Sequence, residues 1–174
     1  LILCSKGYGK LGIFLTPAAP CDINAISFSV IRIFIMNIFR WKFWCKPMPP
    51  NFSSAFYGVL HDFKKDDALR IFKNYYSPES GRAMCEIGFP FFYSNTPTKV
   101  DEKDILCPTL IIGSGRDRIT PIQISKKLKK KLGKKTELII FEKFSHYIME
   151  GNEFEEVFAK ITDWISKKIG DSAV

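Results

Sequence analysis

Cysteine is sparse in this sequence and badly spaced for a framework. Cys4, Cys21, Cys45, Cys85 and Cys107 form no C-x-x-C pair, and five residues cannot all close into disulfides. A disulfide-stapled scaffold is therefore excluded. Free thiols buried in a reducing compartment are expected instead, which points to the cytoplasm. No internal repeat and no low-complexity tract occurs. With no signal segment recognised within these residues, Asn51-Phe52-Ser53 is expected to be a chance match to a glycosylation sequon. An uninterrupted hydrophobic run of membrane-spanning length is also missing. Ile23 to Trp44 comes nearest, but Arg32 sits near its middle, and Asn24, Ser27, Ser29 and Asn37 dilute it further. That stretch is expected to form an apolar lid or cap helix.

What is present is enough for one sizeable core. The 174 residues are 46% hydrophobic and 14% aromatic, with sixteen Phe, which argues against disorder and is too little chain for two ordinary domains. A net charge of +8 suits a nucleic acid or an acidic membrane surface. Its placement argues otherwise. Seven lysines fall within residues 126–135, where Ile124, Leu128 and Leu132 recur every four residues. This spacing puts the apolar groups on one helical face and the lysines on the solvent side. No aromatics interleave with the run, so it offers no track on which bases stack, and no nucleic-acid partner is expected. Attachment to an acidic membrane through this helix and the Ile23–Trp44 stretch stays open as an alternative.

Residues 12–16 read as a short buried strand stopped by Pro17 and Pro20. Pro47, Pro49 and Pro50 end the aromatic stretch. Asp66 to Tyr76 has helical spacing, with Leu69, Ile71, Phe72, Tyr75 and Tyr76 on its apolar side, and residues 77–99 mix turn formers with aromatics. From Cys107-Pro108 a strand follows whose continuous apolar content suits burial on both faces of a parallel sheet. Thr120, Pro121 and Gln123 combine a hydroxyl cap, a proline at the first helical position and a capping-box glutamine. That helix is expected to stop at Gly133. A strand over 137–141 completes a right-handed βαβ unit. Asn152 is expected to cap a last helix, with Glu153, Glu155 and Glu156 early and Lys167 and Lys168 late, as the helix dipole favours. Its expected buried stripe is Phe154, Val157, Phe158, Ile161, Trp164, Ile165 and Ile169.

Two loops stand out. Gly113-Ser114-Gly115-Arg116-Asp117-Arg118-Ile119-Thr120-Pro121 follows the first of these apolar strands, and Phe144-Ser145-His146-Tyr147 follows the second. Asp117 and His146 are thereby placed at the same end of neighbouring parallel strands, where open α/β sheets gather ligands and catalytic groups. A carboxylate beside an imidazole orients the ring for general-base work. Taken singly, each also reads as a turn aspartate or a loop histidine bonded to backbone. Arg116 and Arg118 could compete for the carboxylate, although exposed surface positions are expected for both. His61, in Leu60-His61-Asp62, is expected on a helix surface.

The Asp-then-His order on successive strand ends resembles the C-terminal half of the α/β-hydrolase family, where Ser, Asp and His follow in that order and the Ser occupies a G-x-S-x-G turn. Leu11 to Pro20 is similar to the strand after the nucleophile helix, and Leu1 to Gly9 to the tail of that helix. The resemblance covers 101–167 best, 1–20 less fully and the rest in topology alone. It implies an α/β fold, a partial α/β-hydrolase fold with parallel strands, flanking helices and a helical cap insertion. Residues 1–20 and 100–174 are then part of the core, and 21–99 are the cap or lid over an apolar site. It further implies hydrolysis of a carboxylic ester or related acyl bond, with Asp117 and His146 as acid and base, no cofactor and no metal. The implied partner is a small apolar or acyl-ester substrate.

No G-x-S-x-G occurs in the chain. Ser114 stands between glycines, but Ile112 and Arg116 occupy the positions where the motif requires them. The nucleophile and the oxyanion donors are accordingly expected upstream of Leu1, and a start at Leu rather than Met fits a truncated or processed product. On this reading the 174 residues alone are inactive, and three strands with an open parallel edge make a marginal, oligomeric or aggregation-prone protein. The alternative is a non-catalytic binding or interaction protein that keeps part of the fold. Substrate identity and oligomeric state are not fixed by the sequence.

Overall fold

Strands that are apolar without alternation need cover on both faces, and the architecture supplies it. The structure, a computed structural model, describes residues 1–170, with the side chain of Asn152 set aside. A one-turn helix α1 (Ile2–Ser5) leads into β1 (Gly12–Leu15). A long insertion follows, holding α2 (Phe28–Ile38), β2 (Pro47–Met48), α3 (Phe52–Gly58), α4 (Lys65–Tyr75), β3 (Glu79–Ser80) and α5 (Gly81–Gly88). The chain then returns as β4 (Thr109–Ser114), α6 (Ile122–Leu132), β5 (Thr136–Phe141) and α7 (Gly151–Gly170).

The main sheet runs β1-β4-β5, parallel throughout. Gly12 pairs with Thr109, Thr109 with Thr136, and the ladder ends at Ser114 opposite Phe141. All six residues of β4 are buried. Their side chains alternate between layers, as the strand period of two demands. Leu110 and Ile112 join Phe141, Ile148, Val157 and Trp164 under α7, whereas Ile111 joins Ile124, Leu128, Ala19 and Ile23 under α6. Complete burial of each such aliphatic contributes roughly 1.5–3 kcal/mol. The buried hydroxyls of Thr109 and Thr136 bond across the strands at 2.6 Å, which satisfies both where no water reaches. Helices therefore flank a parallel sheet, as the α/β reading requires.

The insertion has a separate core. Val59, Leu60, Ala68 and Ile71 pack with Phe52, Phe56, Phe63, Phe72 and Tyr76. Ser27, Asn51 and Ser80 cap α2, α3 and α5, each accepting a backbone N–H with its side-chain oxygen. Ile119 and Tyr147, from the loops after β4 and β5, enter the same cluster. The insertion thus sits on the C-terminal ends of these two strands.

Several expectations need correction. Ile23–Trp44 breaks into the 11-residue α2 and a 3₁₀ turn at Phe43–Cys45. Among the described residues no helix is long and apolar enough to cross a membrane. Thr120 does not cap α6: the helix starts at Ile122 behind Pro121 with no side-chain cap, because the Thr120 hydroxyl is engaged elsewhere. The proposed Asn152 cap lies outside the described side chains, and α7 already begins at Gly151. On α7 the buried stripe narrows to Val157 and Trp164, with Ile161 and Ile165 half-buried. Phe154, Phe158 and Ile169 are exposed, since a 20-residue helix overhangs a three-stranded sheet. All five cysteines are free, but only Cys85 is buried, and Cys45 is exposed. Most lysines of α6 face solvent as expected. Lys131 instead turns inward to bridge Asp22 and Glu102, and these carboxylates raise its pKa.

Candidate functional site

The loops after β4 and β5 are joined by their backbones. Beyond the last ladder pair, the N–H of Gly115 donates to Phe141 O and that of Arg116 to Phe144 O, both at 2.9 Å. Gly115 is required for this approach, because a Cβ there would stand 2.7 Å from Glu142 Cα. The sheet therefore continues as a pair of stitched loops, and residues 117 and 146 are carried to one place.

Asp117 is held from several sides. Its Oδ1 accepts the backbone N–H groups of Ile119 and Thr120, each at 2.8 Å, closing an aspartate turn. Its Oδ2 accepts the Thr120 hydroxyl at 2.7 Å and His146 Nδ1–H at 2.8 Å. The Asp117 side chain is fully buried and that of His146 is 26% exposed. A buried carboxylate is costly unless its lone pairs are met, and here they are. Because Nδ1 donates to the carboxylate, the neutral ring keeps its free lone pair on Nε2. That tautomer is the one a general base needs.

Thr120 and Thr16 belong to the site although sequence reasoning missed them. The Thr120 hydroxyl carries one proton and lies 2.7 Å from Asp117 Oδ2, 3.0 Å from Thr16 O and 3.4 Å from His146 Nδ1. The carboxylate is the strongest acceptor of the three. Thr16 follows β1 with φ +38°, a strained conformation for a β-branched residue. The spacing Asp117-x-x-Thr120 carried a signal for a side-chain turn, but it also matched a helix cap. Nothing local marks Thr16, which is 104 residues from its partner.

Neither flanking arginine competes for Asp117. Arg116 Nη2 reaches Asp62 Oδ1 at 2.6 Å, and Arg118 Nη1 donates to Tyr57 O at 2.9 Å. Arg118 is half-buried, contrary to expectation, and its guanidinium lies 4.6 Å from the Tyr57 ring centroid, with that of Arg32 at 3.9 Å from the same ring. Arg116 and Arg118 thus reach from the aspartate loop into the insertion. His61 is not on a helix surface either. It lies in the turn between α3 and α4, its side chain 7% exposed, Nδ1 without a partner and Nε2 3.9 Å from Asp62. Burial lowers its pKa, helped by the Arg118 charge.

Ser114 is sealed at the end of β4, 1% exposed and in regular pairing with Phe141, so it forms no exposed elbow. Among the described residues, no three His, Cys, Asp or Glu side chains gather as a metal set. An apolar groove of about 340 Å³ runs beside the end of β1, lined by Leu3, Phe14, Pro17, Ala19, Ile87 and Val100 among others.

No family model matches the sequence, and no curated protein is similar to it. Among solved structures it is similar to the crystal structure of a monoacylglycerol lipase from Paleococcus ferrophilus, with a TM-score of 0.55 and 20% identity. The match covers 92% of this chain and 61% of that one, so the chain spans about three-fifths of the lipase. At that identity the likeness shows the fold alone, a parallel sheet flanked by helices that the chain shares with part of the lipase.

Proposed function

We propose that Asp117 and His146 are the acid and base of an acyl-ester hydrolase whose nucleophile lies outside these 174 residues. The observation that carries this reading is the bond of 2.8 Å between a fully buried Asp117 carboxylate and a partly exposed His146 ring at the C-terminal edge of a parallel sheet. His146 Nε2 takes the proton of an attacking hydroxyl and returns it to the leaving alcohol, while Asp117 stabilises the imidazolium between these steps. Of the described residues, 1–20 and 100–170 form the C-terminal part of the hydrolase core, and 21–99 are its cap. The neighbouring lipase acts as the model for substrate class: an acyl ester, its apolar part suited to the groove beside Pro17. Five free thiols suit the cytoplasm. The alternative, a non-catalytic binding protein on the same fold, differs in needing no titrating Nε2.

Ester hydrolysis separates the two. Turnover of a p-nitrophenyl acyl ester is expected from the longest reading frame containing this chain, and is lost on His146→Ala. The 174 residues alone are expected to give no turnover above their own His146→Ala form. Activity of the short chain that depends on His146 overturns the external nucleophile, and inactivity of the longest product favours the binder. Proton NMR tests the pair directly: a low-field His146 Nδ1–H resonance is expected, and Asp117→Ala should remove it.

A further inference from the structure

Two of the five thiols lie together, away from the Asp117–His146 pair. Cys4 is in α1 and Cys107 is two residues before β4. Gly12 N–H donates to Pro108 O at 3.0 Å, which brings the start of β1 against the residue after Cys107. The Cys4 sulfur sits over this junction, 3.1 Å from where a Cβ on Gly12 would stand. Cys107 lies close enough to feel it: its thiol is pushed up first by burial and then by the Cys4 group. α1 also packs against the turn Glu102–Asp104 just ahead of Cys107. Both cysteines are half-buried. Cys85 is buried and Cys45 exposed.

We propose that Cys4 and Cys107 form a reversible intramolecular disulfide, a redox-sensitive staple between α1 and the entry to β4. The oxidant is a peroxide. The Cys4 thiolate attacks one oxygen of hydrogen peroxide, breaking the O–O bond to give a sulfenic acid and hydroxide, which takes the proton lost from Cys4 to become water. Cys107 then attacks the sulfenic sulfur, the S–O bond breaks, and a second water leaves with the Cys107 proton. In sum two thiols and one peroxide give one disulfide and two waters. The first attack is assigned to Cys4 because burial disfavours the Cys107 thiolate. α1 has no buried residue, so it can shift to bring the sulfurs to bonding distance without opening the core. A dithiol reductant reverses the step by exchange. Because the bridge closes a long loop, it restricts the unfolded chain and raises the melting temperature.

The test is a titration of the purified chain with hydrogen peroxide at near-stoichiometric ratio. Free thiols should fall from five by two, and proteolysis with mass spectrometry should find residues 4 and 107 linked in a monomer. Dithiothreitol should restore both thiols, and the oxidised chain should melt several degrees higher than the reduced one. Cys4→Ser and Cys107→Ser should each abolish the linkage and the shift in melting, and Cys45→Ser should leave them intact. If either variant fails to fold, the mapping on the unchanged chain decides. Retention of all five thiols overturns the proposal. So does a dimer bridged through Cys45, or sulfinic acid at Cys4 with Cys107 unlinked.

Discussion

β4 and α2 are both apolar almost throughout, yet β4 exposes nothing, whereas α2 shows Phe28 and Met36, and the Phe39 that follows it, to solvent at 80%, 73% and 82%. The difference is one of cover. β4 has a strand on each side and a helix layer on each face, so every side chain meets protein. α2 packs mainly on α3, with Ile33 as its one buried residue, set closely against Gly58. An apolar run therefore reports burial only when the number of layers around it is known. Exposed aromatics on α2 sit among Arg32, Arg40 and Lys42, a mixed surface rather than a second core.

The largest effect expected from this contrast is on stability. Ile111→Ala, at a fully buried site of the central strand, should destabilise by about 2–5 kcal/mol. Met36→Ala, on the open face of α2, should change stability by no more than about 0.5 kcal/mol. Urea unfolding of the two variants measures both. Equal losses would show that α2 is covered in solution, for instance by another copy of the chain, and the contrast would be broken.

A second pair sharpens the same comparison with charged residues. Asp117→Ala leaves the N–H groups of Ile119 and Thr120 and the Nδ1–H of His146 without their acceptor in a buried place. Each lost partner costs roughly 1–3 kcal/mol when the orphaned group stays dry. Asp62→Ala in the insertion breaks a 2.6 Å pair whose Arg116 side is 55% exposed, so water takes over and the loss should be about 1 kcal/mol or less. Melting curves distinguish these outcomes. A large loss at Asp62 would mean that the insertion is tied to the aspartate loop more strongly than exposure suggests.

How much of this was legible follows the same division. β4, β5 and α6 were readable because continuous apolar runs, Gly133 and the Ile124–Leu128 spacing each act within a few residues. Asp117 and His146 were readable as a pair because each follows such a strand, and the structure brings them together. The insertion was harder. Three of its helices owe their starts to Ser27, Asn51 and Ser80 caps, which are common residues, and its packing depends on partners far along the chain. Thr120 was misread because its local motif fits a cap equally well, and only the buried carboxylate three residues earlier decides between the two. Arg118 was misread because nothing near it in sequence announces Tyr57. The strain at Thr16 has no sequence signature at all.

The smallest effect concerns His61, which the insertion buries just above the aspartate loop. Its pKa is lowered from 6.5, first by burial and then by Arg118, with Arg116 acting in the same sense and Asp62 and Asp117 opposing. A folded state that prefers the neutral ring is favoured above pH 6.5, where the unfolded ring is neutral too. As pH falls through 6.5 the unfolded chain takes up its proton first, and stability declines until the folded ring also protonates. His61→Gln removes this titration. Urea midpoints at pH 7.5 and 5.5 should therefore differ less in His61→Gln than in the unchanged chain, by a modest amount. Asp62→Ala should widen the difference, because losing that anion lowers the His61 pKa further. An unchanged pH response in His61→Gln would mean that water reaches the ring, and that the insertion lies more loosely over the strand ends than the buried Nδ1 indicates.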